Sequence, residues 1–184
     1  FIMIIDDDER SKVEYIYKLY YGTMYNVAYS ILNNQSMAED AVSEALIKII
    51  DNIKKVDDIA SYRTRGFVVI IVRSVSIDML RSLNRKRDVP LDDYIEFAKN
   101  QGDPVFDYLS ISESCRRISD CIKVLNRSYA DILYMKIELG LTNSEIGKLL
   151  NISQDNVRNR LSRARRALLE QLKKEETKYE KRTI

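Results

Sequence analysis

Apolar residues return every three or four positions along most of this chain, and the lapses in that rhythm divide it. From 9 to 32, Val13, Ile16, Tyr20, Met24, Val27 and Ile31 form one stripe, which predicts an amphipathic helix ended by Asn33 and Asn34. Ser36 stands three residues before Glu39, the spacing of a capping box, and opens a second helix. Its stripe is Val42, Ala45, Leu46, Ile49, Ile50 and Ile53, and its opposite face carries Asp40, Ser43, Glu44 and, further on, Lys48. Carboxylates in first turns offset the helix dipole, which accounts for part of that acidity. The run FVVIIV at 67–72 is β-branched enough for a buried strand. The pattern continues through Val75, Met79, Leu80 and Leu83 without Gly or Pro, which favours a buried helix ending in Arg81, Arg85, Lys86 and Arg87.

Between 88 and 109 the periodicity stops. Both prolines, Gly102 and a cluster of aspartates and glutamates fall there, so this stretch reads as an acidic linker. Helical spacing resumes over 111–125 and 128–139, where Gly140 occupies the position of a left-handed C-terminal glycine. Thr142 and Glu145 then form a capping-box pair, followed by Ile146, Leu149 and Leu150 on one face. Ser153 caps a further helix that buries Val157, Leu161, Ala164 and Leu168. At 100° per residue, Asp155, Asn159, Ser162 and Arg166 face outward, flanked by Arg158 and Arg163. A short helix, a tight turn and a longer helix with a polar, arginine-rich outer face is the helix-turn-helix plan, whose second helix enters the DNA major groove. An ordinary surface helix pairs Glu with Lys at i, i+4; residues 156–166 contain no acid at all.

Composition sharpens this reading. The chain has 184 residues, which fits one medium domain or two small ones, and its two prolines, five glycines and absence of tryptophan point to an all-α protein. The net charge is only +2, so any nucleic-acid footprint is local: arginines crowd 158–166 while acids crowd 88–107. Cys115 and Cys121 are too few for a disulfide framework, and with no histidine and no CxxC pair a metal site is not expected. A reduced, cytoplasmic protein is expected. The apolar start, residues 1–5, is far below the ~20 residues of a membrane span. Its nativeness stays open, since Met3 fits a natural start. No nucleophile–base pair or glycine-rich phosphate loop suggests an enzyme, and no cofactor is expected.

Three blocks in order carry a family resemblance: AEDAVSEALIKI at 38–49, FVVIIVRSVSIDMLR at 67–81 and LTNSEIGKLLNISQDNVRNRLSRARRAL at 141–168. The chain resembles bacterial RNA polymerase sigma factors of the small extracytoplasmic-function (ECF, group 4) type, which keep only regions 2 and 4. The resemblance implies two helical domains, region 2 over 9–87 and the region 4 helix-turn-helix over 111–175, joined by a linker over 88–110. It implies core RNA polymerase and promoter DNA as partners, an anti-sigma factor as a further one, and no membrane insertion of its own. Glu39, Asp40, Glu44 and Lys48 match the face that docks on the clamp coiled coil of the largest polymerase subunit, with Ser43 where the family usually has glutamine. Ile53, Val56 and Ser74, beside the loop 56–65, match the pocket that captures a flipped base of the melted strand. Here Ser74 replaces the usual asparagine and Phe67 the usual tryptophan. Arg81, Arg85 and Lys86 match contacts to downstream phosphates. Lys136, Arg158, Asn159, Ser162 and Arg163 match the readers of the upstream promoter element, and Arg166 lies a turn further on.

The residues alone also fit a free-standing dimeric helix-turn-helix regulator, or a helical adaptor whose basic helix meets an acidic protein. A linker of about 22 residues at ~3.3–3.6 Å each reaches at most roughly 70–80 Å. Two DNA elements about two turns apart are roughly 70 Å apart, so polymerase rather than the linker would hold the domains in place.

Overall fold

The computed structural model describes residues 7–85, 118 and 120–180, and among these there is no strand. The chain divides into two compact units, residues 1–101 and 102–184. In the first unit α1 (Asp7–Leu32), α2 (Gln35–Ile50) and α3 (Tyr62–Arg85) pack each against the other two. In the second, α4 (Arg127–Ile137) and α5 (Asn143–Leu149) pack on α6 (Gln154–Glu180) and on each other. Residues 120–123 are also helical.

The α1 stripe is Ile16, Tyr20, Met24, Ala28 and Leu32, all buried. Val27 and Ile31, expected in that stripe, are half-buried flankers instead. A strict four-residue repeat drifts around a straight helix, and here it follows the neighbouring helices as they wrap. Small Ala28 is fully buried.

The α1–α2 corner differs from the expected capping box at Ser36. Asn33 takes a left-handed φ of 48° and its N–H donates to the Tyr29 carbonyl at 2.8 Å. Asn34 is therefore the extended cap residue, and its side-chain oxygen accepts from the Met37 N–H at 3.0 Å. Ser36 already lies inside the helix. A cap of this kind stabilises by about 1 kcal/mol.

The run 67–72 is helical, and every residue from Phe67 to Val72 is at most 5% exposed. A helix apolar on all sides belongs in the middle of a unit, and α3 contacts both α1 and α2 there. Ser76, fully buried, donates its hydroxyl to the Val72 carbonyl at 2.7 Å, so its polar group is satisfied within the helix.

The second unit is built from Ile132, Leu133 and Met135 of α4, Ile146 and Leu149 of α5, and Val157, Leu161 and Ala164 of α6. Asn126 caps α4 by accepting from the Ser128 N–H at 3.0 Å. Gly140 is left-handed, φ 64°, where the chain turns toward α5, as its position in the sequence leads one to expect. Cys121 is buried, while Cys115 and the linker 88–110 lie outside the described residues.

Candidate nucleic-acid and protein interfaces

The helix-turn-helix is held by caps at both of its starts. Thr142 and Glu145 make the full reciprocal box: the Glu145 N–H donates to Thr142 Oγ1 at 3.3 Å, and the Thr142 N–H donates to Glu145 Oε2 at 2.7 Å. After α5, Asn151 takes a left-handed φ of 52° and the Ile152 N–H donates to the Gly147 carbonyl at 2.9 Å. The return is so tight that a Cβ on Gly147 would lie 2.8 Å from the Ile152 carbonyl oxygen. Ser153 Oγ then accepts from the Asn156 N–H at 3.2 Å and opens α6.

Val157, Leu161 and Ala164 are buried and fix the rotation of α6 about its axis. Each large apolar group of this kind stabilises by roughly 1.5–3 kcal/mol on burial, so the rotation is well determined. Arg158, Asn159, Ser162, Arg163 and Arg166 consequently all stand exposed on the outer side. Arg158 does not stand alone there: its guanidinium Nη1 is 3.2 Å from Asp155 Oδ1, one turn earlier. Lys136 belongs to a different setting. It is half-buried, and its ammonium donates to the Leu141 carbonyl at 3.0 Å, bracing the turn that leads into α5.

A shallow groove beside the turn is lined by Ser144, Lys148, Asn151 and Gln154, with Gly147 beneath. Sequence reasoning passed over Ser144, Lys148 and Gln154. Their signal was their place around the turn, where a cation and small polar groups stand next to the start of the outward-facing helix.

On α2, Glu39, Asp40, Ser43 and Glu44 are exposed and Lys48 is half-buried, opposite the buried Ala38, Ala41, Val42, Ala45 and Ile49. Ile47 is 49% exposed, seven residues after Asp40 and three after Glu44. It puts an apolar side chain in line with the two carboxylates. The periodicity argument missed it because its neighbours Ile49, buried, and Ile50, half-buried, belong to the apolar stripe and drew the attention.

The segment between α2 and α3 is a pinned loop. A single 3-10 turn, Ile53–Lys55, leads into it. The Asp58 carboxylate accepts from the Ala60 N–H at 3.0 Å, and its carbonyl accepts from the Ser61 and Thr64 hydroxyls at 2.7 and 2.6 Å. From α1, the Tyr20 hydroxyl donates to the Ile59 carbonyl at 2.6 Å. Burial pushes the Tyr20 phenol above its ordinary pKa, and Asp58 and Tyr15 add to this against an opposing pull from Arg65.

Ile53 and Val56, around which, with Ser74, the base-capturing pocket is expected, are core residues, 2% and 5% exposed. Of that trio only Ser74, half-buried on α3, presents surface. Arg81 is 3.4 Å from Asp78 on its own helix. Arg85 ends α3 with its side chain outside the described residues, and Lys86 lies wholly outside them.

Residues 16–86 match the Sigma-70 region 2 family, and residues 115–168 match the Sigma-70 region 4 family. The chain is also similar to the ECF RNA polymerase sigma factor SigW of Bacillus subtilis (strain 168). The two are 29% identical over 179 residues, which cover 91% of each chain.

Proposed function

The chain belongs to the sigma-70 family of RNA polymerase initiation factors, in its extracytoplasmic-function branch, and we propose how its two units divide the work of starting transcription. It is an alternative sigma factor that directs promoter recognition and transcription initiation. Sigma factors act without an enzymatic step of their own, through binding. The region 2 unit, 9–87, takes hold of core polymerase through α2 and helps open the promoter. The region 4 unit, 111–175, reads the upstream element with α6, and the linker 88–110 joins them.

The observation that carries the reading of region 4 is the outward row Arg158, Asn159, Ser162, Arg163 on a helix whose rotation is fixed by Val157, Leu161 and Ala164. Asn and Arg read adenine and guanine edges by bidentate hydrogen bonds. Lys148, Ser144 and Gln154 around the turn suit phosphate oxygens, which fix register without reading sequence. In region 2, Glu39, Asp40 and Glu44 present carboxylates to an arginine-bearing coiled coil of the polymerase clamp, and Ile47 supplies the apolar centre that such an interface needs. Ser74 and the pinned loop 56–61 form the surface nearest to a melted strand. Arg81 contacts downstream phosphates by exchanging Asp78 for DNA, and Arg85 and Lys86 extend the same basic end. Lys136 acts on DNA binding through the turn that it braces.

The factor works in the cytoplasm with core polymerase, and an anti-sigma factor holds it when it is idle. Among the described residues no helix is long and apolar enough to cross a membrane. The +2 net charge gives little long-range attraction to DNA, so the free chain binds promoter duplex poorly. Run-off transcription with core polymerase on a library of promoters tests this directly. Start-site-specific transcripts that need both components are expected. Tight operator binding by the free chain, with no transcript gained on adding polymerase, would overturn the reading in favour of a dimeric regulator.

A further inference from the structure

Tyr20 stands in the core stripe of α1 between Ile16 and Met24 and is 5% exposed. A phenylalanine would fill that space as well. The hydroxyl adds one thing, the 2.6 Å bond to the Ile59 carbonyl, 39 residues along the chain. Burial raises the phenol pKa, so the group keeps its proton and donates throughout the neutral range.

The Ile59 carbonyl and the Ala60 N–H belong to one peptide unit. That unit is planar and trans, so the two groups point opposite ways. The Ala60 N–H donates to Asp58 Oδ1 at 3.0 Å. One peptide is therefore held on both sides, by α1 at its oxygen and by the loop's own carboxylate at its nitrogen. Next to it, the Asp58 carbonyl accepts from Ser61 Oγ and Thr64 Oγ1 at 2.7 and 2.6 Å, and from the Ser61 N–H at 3.3 Å. Another link joins Lys54 Nζ to Glu9 Oε1 at 3.6 Å, about three turns earlier on α1. Its lysine is exposed, and such a pair holds weakly.

Surface connections are ordinarily the mobile parts of a fold, and ordering one costs chain entropy. Here Tyr20, Asp58, Ser61 and Thr64 all commit polar groups to one short turn. That turn offers Asp57, Asp58 and Ala60 to solvent, with Ile59 half-buried between them. A recognition loop set in advance need not be ordered when its ligand arrives. We infer that Tyr20 is a positioning residue for recognition of the melted strand: through the Ile59–Ala60 peptide it sets the loop 56–61 in the conformation that discriminates among bases. It acts from the core and does not touch DNA. This rests on the proposal that the loop meets the melted strand. A bond that served stability alone would, on removal, weaken all downstream sequences alike. A bond that sets the loop changes the order of preference among them.

The test uses full-length Tyr20→Phe with core polymerase, well below its melting temperature, and a promoter library randomised in the downstream element. The preference for the best base over the next is expected to fall roughly three- to tenfold at one position, the scale of one lost hydrogen bond. Core affinity and preference at the upstream element should stay as in the unaltered chain. Thr64→Val, which removes a hydroxyl from the Asp58 carbonyl, is expected to disturb the same position, and Thr64→Ser, which keeps it, to leave it intact. A Tyr20→Phe profile superimposable on that of the unaltered chain overturns the inference, whatever the melting temperature. So does an equal loss on every downstream sequence. A photocrosslinking residue at Ala60 and the variant Asp57→Ala probe the loop itself. Label on the melted strand, or a shifted preference in Asp57→Ala, with Tyr20→Phe normal keeps the loop at the strand and removes Tyr20 from its positioning. No label together with an unshifted Asp57→Ala takes the loop away from the strand, and the inference falls with it.

Discussion

Arg158 reaches back one turn on the recognition helix to Asp155, with Nη1 3.2 Å from Oδ1 and both side chains exposed. A carboxylate at this place does two things on approach to DNA. On the role proposed for α6, it restrains the guanidinium and its charge disfavours a phosphate next to it, so Arg158 would turn toward base edges. As an exposed pair it contributes at most about 1 kcal/mol to stability. Asp155→Ala is therefore expected to leave the melting temperature almost unchanged. In the holoenzyme it should broaden the preference at one position of the upstream element and steepen the salt dependence by about 0.9 as Arg158 shifts to a phosphate. Selection from a randomised element at several salt concentrations measures both, and an unchanged preference with an unchanged slope would show that the pair does not orient the arginine.

Tyr20 provides a pH-dependent test of the pinned loop. Its phenol is raised in the folded chain, so the unfolded chain loses this proton first as pH rises. The contribution of Tyr20 is complete below the ordinary phenol value of about 10 and is lost as pH climbs through the higher folded value. Melting temperature should fall above that pH, and Tyr20→Phe should flatten part of the fall. At neutral pH the same variant should cost about 0.5–1.5 kcal/mol for the lost bond to the Ile59 carbonyl. An unaltered alkaline profile in Tyr20→Phe would mean that another group governs it.

How far the sequence could be read depended on whether one local signal had a competitor. The run 67–72 could be assigned to a helix because the apolar pattern outlasts any strand, and burial on every side of α3 is the consequence. The capping box at Thr142 had no rival, and it is present. At the α1–α2 corner two cap signals overlapped. Once Asn33 turns left-handed the chain reverses in two residues, which makes Asn34 the cap and leaves Ser36 inside the helix. In α1, size misled: Val27 and Ile31 look like better core residues than Ala28, yet Ala28 is fully buried while they are half-buried, because position about the axis decides burial before size does. Arg158 could be placed by pattern and Lys136 by the family resemblance, but their partners Asp155 and Leu141 depend on rotamers that periodicity does not encode.

Gly147 is required by contact, not by backbone conformation. Its own φ is not positive, but an added methyl would sit 2.8 Å from the Ile152 carbonyl oxygen, a backbone atom with little freedom to yield. Gly147→Ala should destabilise the second unit by about 1–3 kcal/mol. Scanning calorimetry of the full chain should show the melting of that unit moving down while the first unit holds. Upstream-element binding in the holoenzyme should weaken with it. Unchanged melting would mean that the turn can open without cost.

The face of α2 proposed to meet polymerase should fail by charge and by shape separately. Asp40→Lys with Glu44→Lys reverses an exposed surface opposite the buried Val42 and Ala45, so the fold should persist. Pull-down of core polymerase should be abolished while circular dichroism stays helical. Ile47→Asp keeps the acidic character but removes the apolar centre, and should cost about 1–2 kcal/mol of binding, or roughly tenfold. Normal pull-down by the folded charge-reversal variant would remove α2 from the interface.

On the recognition helix, position about the axis should decide function. Asn159 and Ser162 lie near the middle of the outer face, Arg158 and Arg163 toward its margins, and Arg166 a turn further on, all exposed. The buried Val157, Leu161 and Ala164 fix this arrangement, because rotating α6 by one residue would expose them. A helix in the groove meets base edges at its centre near its start and passes the backbone as it leaves. Bidentate readout is worth about 1–3 kcal/mol of discrimination for each good pair, whereas a phosphate contact is blind to sequence and sets the salt slope. Asn159→Ala and Arg158→Ala should therefore change which upstream element is selected. Arg166→Ala should weaken all promoters alike and flatten the salt dependence by about 0.9. If Arg166→Ala shifts the selected sequence while Asn159→Ala leaves it unaltered, α6 lies in the groove with a different rotation, and the margins of the helix, not its centre, carry the readout.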